Sequence, residues 1–286
     1  MNPATGFALA AMACAGISDL VYKRGAAAGV PARHFLMVQT WFFAPVILGY
    51  AVLAGGLAGD PVGLWGAVGG CFAFTGFYQF QRSLHDAPVS INAPIFRLSF
   101  VVSALLAVLL LGEPLTGRKA LGMACALVAV WLLMRSGTGG PAVVPGGVRP
   151  RALAHVGIAT GCIGVANLVY KIGLRAGAAP GSLLVAQACV ATGLGLAIVR
   201  ITDGSLRVPP AAWRHAGPAG VVLALAFVFM LEGLARGQVS VVVPITQMGF
   251  VVTALLGIAT LGEPLTARKT LGLAAAGGAI ALLAGT

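Results

Sequence analysis

Two nearly identical stretches decide the organisation of this chain: LGEPLTGRKALG at residues 111–122 and LGEPLTARKTLG at residues 261–272. They lie 150 positions apart. Further upstream, CAGISDLVYKRG at 14–25 matches CIGVANLVYKIG at 162–173. This second match has an offset of 148, and similarity that recurs at nearly the same offset indicates a tandem duplication. We therefore assign residues 1–136 to a first copy, the Gly/Pro-rich residues 137–151 to a linker, and residues 152–286 to a second copy.

The composition identifies the environment of both copies. Of the 286 residues, 59% are hydrophobic and 9% are charged, and the mean hydropathy is +0.97, which together indicate a membrane protein. A helix needs about 20 apolar residues to cross the hydrocarbon core, where every backbone polar group must be satisfied within the segment. The predicted spans are 6–22, 34–54, 62–82, 88–111, 119–135, 152–172, 182–200, 213–233, 238–261 and 268–285.

Each copy thus contains five spans, and five is an odd number. A second copy that enters the bilayer after an odd number of crossings runs upside down relative to the first. The predicted fold is an all-α integral membrane protein of ten transmembrane helices, arranged as two inverted five-helix repeats. Inverted repeats that enclose a cavity at the bilayer midplane are common among secondary transporters.

Other functional classes find little support in the sequence. The five cysteines lie inside apolar spans and the four histidines are isolated, so we expect no metal and no cofactor. No motif of a nucleophile, base or metal site is present, so an intramembrane enzyme is the weaker alternative and a non-transporting scaffold another. The net charge of +11 lies in short loops, which argues against nucleic-acid binding.

The repeated LGEPLT phrase is typical of a tight turn between helices. Gly112 and Gly262 can end a helix in the left-handed conformation, and Pro114 suits the first turn of the next helix. Glu113 and Glu263 are expected beside the positive end of that next helix. As an alternative, either glutamate acts as a gate or a proton carrier.

On these residues the chain resembles the EamA-like proteins of the drug/metabolite transporter superfamily. The shared features are a lysine at the end of each copy's first helix (Lys23, Lys171), a mid-helix proline in each fourth helix (Pro94, Pro244) and the duplicated GE turn. The resemblance covers essentially the whole chain. It implies a carrier of small metabolites that works by alternating access, and it does not identify the solute.

Arg97 is the outstanding candidate for solute contact, because an ionisable group near mid-bilayer is costly and therefore functional by default. On an α-helix, Ser90, Pro94 and Arg97 share a face. The matching face of the second copy carries Ser240, Pro244 and Gln247, and we expect both faces to line the cavity. The prolines would kink their helices. The alternative for Arg97 is a buried structural pair with Asp19 or Glu232.

Further polar side chains are predicted to line the solute pathway, as residues that recur in both copies or add hydrogen-bonding capacity: Tyr22, Lys23, Tyr170, Lys171, Gln39, Gln187, Tyr78 and Gln79. Asp19 and Glu232 are the candidates for coupling to a proton. Cations outnumber carboxylates in this set, which favours an anionic or zwitterionic solute such as an amino acid. Glycines four apart, Gly66 with Gly70 and Gly157 with Gly161, are expected to let helices approach closely.

Orientation and assembly stay open at the level of sequence. Of the 18 Lys and Arg residues, 12 fall in the loops on one side, five on the other and Arg97 within a span. This count places both termini outside the cytoplasm, whereas the family resemblance implies termini inside. We expect a bacterial inner-membrane protein that contacts the lipid bilayer and a small-molecule solute, with a homodimer as an alternative to a monomer.

Overall fold

The computed structural model describes residues 2–54, 61–86, 89–134, 150–261 and 264–286. Within these ranges the chain is helical apart from short connections. The helices are α1 (Pro3–Ala27), α2 (Ala32–Leu53), α3 (Leu64–Asp86), α4 (Val89–Arg97), α5 (Ser99–Leu111), α6 (Gly117–Met134), α7 (Pro150–Arg175), α8 (Pro180–Asp203), α9 (Pro210–Arg236), α10 (Val239–Gln247), α11 (Gly249–Leu261) and α12 (Ala267–Ala284), with a 3₁₀ turn at Pro61–Gly63.

These twelve helices correspond to the ten predicted spans, because α4 with α5 and α10 with α11 each follow one another as the two halves of one span. Eight spans within the described residues are long and apolar enough to cross a membrane, and both divided spans are among them. The other two, α3 and α6, carry basic residues near one end: Arg82 in α3, and Arg118 and Lys119 in α6. An all-helical membrane protein is therefore confirmed.

The two divided spans break at equivalent positions, four residues after each proline. Pro94 and Pro244 have no backbone N–H to donate. At the break, the Leu98 N–H donates to the Ile95 carbonyl and the Met248 N–H donates to the Ile245 carbonyl, both at 3.0 Å and both one residue tighter than an α-helical bond. Each break divides its span into a nine-residue half and a thirteen-residue half.

The copies interlock, and each helix packs mainly on the other copy. α1 packs against α9 and its counterpart α7 packs against α3, while α2 packs on α9 and α8 packs on α3. Reciprocal pairing of this kind is the pattern that a pseudo-two-fold axis between the copies produces. Two equivalent pairs, α2 with α8 and α6 with α12, meet across this axis.

Contacts near the helix ends show that the copies run in opposite directions. Phe7, near the start of α1, lies 4.8 Å from the guanidinium of Arg236 at the end of α9. His155, near the start of α7, hydrogen-bonds at 2.8 Å to Gln79 near the end of α3. Since α3 ends on the face opposite to the start of α1, α1 and α7 begin on opposite faces. We call the face at which α1 begins face A and the opposite one face B.

Close helix approach depends on one of the two predicted glycine pairs. A Cβ added to Gly66 would lie 2.0 Å from the Leu183 carbonyl oxygen, and one added to Gly70 would lie 2.9 Å from the Gln187 Cα. These two glycines let α3 pack directly on the backbone of α8. The prediction was wrong for Gly157 and Gly161, which have open space around them because this side of α7 has no close neighbour within 4 Å.

Candidate functional site

A central cavity lies between the two copies. All its lining residues except Ala226 and Met230 form pairs of matched positions in the two copies. The pairs are Ala15 with Ile163, Ser18 with Ala166, Asp19 with Asn167, Tyr22 with Tyr170, Ala73 with Leu223, Phe77 with Phe227, Phe96 with Thr246, and Arg97 with Gln247. A lining built from matched positions means that the cavity lies on the pseudo-two-fold axis.

Arg97 occupies the wall of this cavity and connects three helices. Its guanidinium forms an ion pair with the Asp19 carboxylate of α1 and donates to Gln247 Oε1 of α10 at 3.0 Å. Arg97 is 8% exposed, whereas the side chain of Asp19 is 35% exposed. Arg97 thus forms an ion pair with Asp19 and also lines the cavity.

The two tyrosine–glutamine pairs differ between the copies. The Tyr22 hydroxyl donates to Gln39 Oε1 at 2.6 Å, and the Tyr22 ring stacks on Phe35. The equivalent Tyr170 hydroxyl and Gln187 Oε1 are buried and have no hydrogen-bond partner among the described residues. Both glutamines line a second, smaller cavity, which shares Tyr22, Ala73, Phe77, Leu223 and Phe227 with the central one.

Aromatic rings form the apolar part of the wall, and the sequence reasoning missed them. Phe77 and Phe227 stand at matched positions, line both cavities and have ring centroids 6.4 Å apart. Phe227 also meets the Tyr170 ring edge to face at 6.4 Å. An alignment of the two copies at offset 150 carries this signal, because it matches Phe77 with Phe227.

Several predicted pathway residues lie elsewhere. The Lys171 ammonium donates to the Leu234 and Gly237 carbonyls at 2.6 Å each, at the end of α9, and does not line either cavity. Lysine near a helix C-terminus satisfies carbonyls that lack a helical partner, and this contact places the Lys171 ammonium outside the lining of both cavities. The side chains of Lys23 and Ser90, and Gly262 and Glu263 entirely, lie outside the described residues.

Other polar candidates also bind neighbours away from both cavities. Gln79 bonds to His155, and the Tyr78 ring lies 5.8 Å from the guanidinium of Arg82. Glu232 accepts a hydrogen bond from the Tyr50 hydroxyl and pairs with Arg236 near face A. Pro94 and Pro244 break their helices without lining either cavity. Their contribution to the site is therefore indirect, through the position of Arg97 and Gln247 at the breaks.

The GE turn of the first copy makes an unexpected connection. Gly112 is left-handed, with φ of +66°, as the sequence predicts for a helix end. Glu113, however, does not cap the next helix, α6. Its carboxylate accepts from the backbone N–H groups of Val239 and Ser240 at 2.8 and 3.0 Å, and from the Ser240 hydroxyl at 2.6 Å. Glu113 therefore caps the N-terminus of α10 in the other copy.

This contact continues to the cavity through α10. The helix is nine residues long, so it spans about 13 Å. Its first turn is held by Glu113 on face A, and its last residue, Gln247, accepts from Arg97. Lys119 reinforces the same end, since its ammonium donates to the Pro114 carbonyl and to Gln238. The half-helix α10 thus connects the Arg97–Asp19 ion pair in the cavity wall to the Glu113 cap near face A.

The lining of the cavity has mixed character. It includes a cation and a partly exposed carboxylate, the amides of Gln247 and Asn167, and aromatic rings. The formal charges of Arg97 and Asp19 cancel. Such a lining satisfies opposite charges and apolar surface on the same small molecule, because each charged group needs a partner in a low dielectric.

Comparisons with known proteins agree with the fold. The model of the EamA-like transporter family matches residues 3–135 and again residues 153–285. A solved crystal structure, identified only as that of a protein, superposes with a TM-score of 0.80 at 19% identity, and covers 98% of this chain and 95% of that chain. A search of curated proteins gave no match. With the family model matched once in each copy, the chain belongs to the EamA-like transporter family.

Proposed function

We propose that this protein carries a small zwitterionic metabolite, such as an amino acid, across the membrane by alternating access. The observation that carries the proposal is the Arg97–Asp19 pair, which lies in the wall of an axial cavity with its carboxylate partly exposed. A solute carboxylate would bind Arg97 and a solute ammonium would bind Asp19. The removal of Lys171 from the pathway makes a zwitterion a better match than a simple anion.

Alternating access is supported by the inverted arrangement of the two copies. On face A, Glu113 caps α10 and Lys119 donates to Gln238, so inter-copy contacts close this end. Because the copies are inverted, residues that close face A in one state have sequence counterparts on face B. The GE turn would then have the same role in both copies. In each access state, the GE turn of one copy caps the broken helix of the other copy.

Solute binding would act on this closure through Arg97. A solute carboxylate competes for the guanidinium with Asp19 and Gln247, and Gln247 is the last residue of α10. Moving Gln247 moves a rigid half-helix whose other end is held by Glu113. The proposal therefore includes Glu113 as a gating residue at face A. We also propose that the protein acts in the plasma membrane of a bacterial cell.

The decisive test separates a structural ion pair from a binding site. The double variant Arg97→Gln with Asp19→Asn removes both charges and keeps hydrogen-bonding groups, and glutamine is the residue that the second copy has at the equivalent position, Gln247. We expect this variant to fold and to lose uptake of labelled zwitterionic amino acids in proteoliposomes. The single variants are expected to be less stable, because each leaves a charge without its partner.

Two results would contradict the proposal. Uptake at the wild-type rate by the neutral double variant would show that the ion pair serves packing alone. Failure of the wild-type protein to bind or move any member of an amino-acid panel, tested by thermal shift and by uptake, would rule out the proposed solute class. Gln79→Leu is the matched control, since Gln79 is polar, lies outside both cavities and bonds to His155.

A further inference from the structure

From the second cavity we infer a subsite for a neutral hydrogen-bonding group of the solute, formed by Gln39 and Gln187. This inference rests on the proposed function and adds a requirement to it. The solute would carry, besides its two charges, an uncharged group that both donates and accepts, such as a carboxamide. The argument depends on orphaned polar atoms, their position and their distance from the ion pair.

The first observation is an excess of buried polar atoms without partners. Gln39 is 2% and Gln187 is 4% exposed, and both line the second cavity. Gln39 Nε2 and Gln187 Oε1 have no hydrogen-bond partner among the described residues. A buried polar atom left unsatisfied is destabilising, because it has lost its hydrogen bonds to water. Two such atoms around one cavity indicate a site that something polar completes.

The donor and acceptor roles of these atoms are complementary to a carboxamide. Gln39 Oε1 accepts from the Tyr22 hydroxyl at 2.6 Å, which leaves the Gln39 Nε2 group as a donor toward a ligand. Gln187 Oε1 remains as an acceptor, because the Tyr170 hydroxyl, its equivalent partner, makes no bond to it. A ligand group with one carbonyl and one N–H would satisfy both glutamines together.

The subsite lies where both access states can use it. Gln39 and Gln187 are matched residues on α2 and α8, the helices that pack on each other across the pseudo-two-fold axis. Residues on this axis exchange places when the two copies exchange conformations. The same pair of amides therefore faces the solute whichever face of the protein is closed.

The distance to the charged subsite suits a small solute. Asp19, which pairs with Arg97, and Tyr22, which bonds Gln39, are three residues apart on α1. Three residues of α-helix rise about 4.5 Å. Between them the wall is apolar, with Phe77 and Ala73 shared by both cavities. An amino acid whose side chain ends in an amide has this order of groups.

The test compares two probes of nearly equal length, L-glutamine and L-methionine, which differ in whether the side chain ends in an amide or a thioether. Binding to the purified full-length protein is measured by thermal shift and by equilibrium titration. We expect wild-type protein to prefer glutamine, and Gln187→Leu to reduce that preference about fivefold, equivalent to ~1 kcal/mol for one neutral hydrogen bond. Gln39→Leu serves as a second variant if Gln187→Leu does not fold, and Gln79→Leu is the control that keeps the preference.

The outcomes separate this inference from the proposed function. A glutamine preference that disappears in the cavity variants and persists in the Gln79→Leu control supports the subsite. Equal binding of both probes, or a preference that survives Gln187→Leu and Gln39→Leu, overturns the subsite and leaves a zwitterion carrier in place. Absence of binding by either probe to wild-type protein overturns the inference together with the solute class on which it rests.

Discussion

Glu113→Ala is the perturbation whose effect follows most directly from the geometry. The carboxylate satisfies two backbone N–H groups and one hydroxyl at the start of α10, and Glu113, Val239 and Ser240 are 3%, 0% and 0% exposed. Alanine would leave three buried donors without this acceptor. Because each orphaned donor is destabilising by about 1–3 kcal/mol and such effects overlap, we expect a loss of ~3–5 kcal/mol.

The measurement is thermal unfolding of the purified protein in detergent micelles. At 2–4 °C for each kcal/mol, the expected loss lowers the midpoint by roughly 10 °C. Glu113→Gln keeps one acceptor oxygen without the charge that favours a helix N-terminus, so its loss should be about 1–2 kcal/mol. Glu232→Gln is the control, because glutamine keeps an acceptor for the Tyr50 hydroxyl and the lost ion pair has a partner, Arg236, that is 46% exposed, so we expect a loss of about 0–1 kcal/mol.

A double-mutant cycle gives the refuting result. Ser240→Ala removes one of the three donors, so combining it with Glu113→Ala should be less harmful than the sum of the single changes. If Glu113→Ala unfolds within 1 kcal/mol of wild type, or if the two changes add exactly, the carboxylate does not hold α10. The description of α10 as a lever between face A and Arg97 would then be wrong as well.

Further predictions concern packing and helix ends. Gly66→Ala should destabilise the protein by about 2–3 kcal/mol in the same unfolding assay, because its Cβ would lie 2.0 Å from the Leu183 carbonyl oxygen. Gly157→Ala, with open space around it, should be neutral or slightly stabilising through helix propensity, and equal losses in the two variants would contradict the α3–α8 contact. Lys171→Met should lower stability by about 1–3 kcal/mol, since two carbonyls at the end of α9 lose their charged donor. Lys171→Met should also leave the affinity for solute unchanged. A loss of binding in titration would show that Lys171 contributes to solute binding.

The fold was readable from the sequence because the physics behind it is local. Each span needs about 20 apolar residues wherever it occurs, so hydropathy along the chain locates spans without knowledge of their neighbours. The repeated LGEPLT phrase sets the period, and an odd number of spans in each copy fixes the inversion. Pro94 and Pro244 predicted that these two spans depart from a regular helix, and the breaks lie four residues after the prolines.

The partners of polar side chains were decided by the tertiary structure. Glu113 was expected beside α6, its neighbour in sequence, and instead caps α10 of the other copy. Lys171 was expected at the pathway and instead caps α9. In both cases the partner is a helix end that lies more than 60 residues away along the chain. Glu113 reaches the other copy, whereas Lys171 and α9 lie in the same copy, where α7 packs beside α9.

The candidate site was predicted in part from the sequence and was decided in part by the tertiary structure. Sequence alone identified Arg97 and Gln247 as equivalent positions, because an arginine near mid-bilayer is rare and the copies align there. The tertiary structure decided which faces of α1, α3 and α9 turn toward the axis. Those faces determine that Arg97 pairs with Asp19 and that Phe77 and Phe227 form the apolar wall. Hydropathy does not report that rotation, since in lipid the outward face of a helix is as apolar as its packed face.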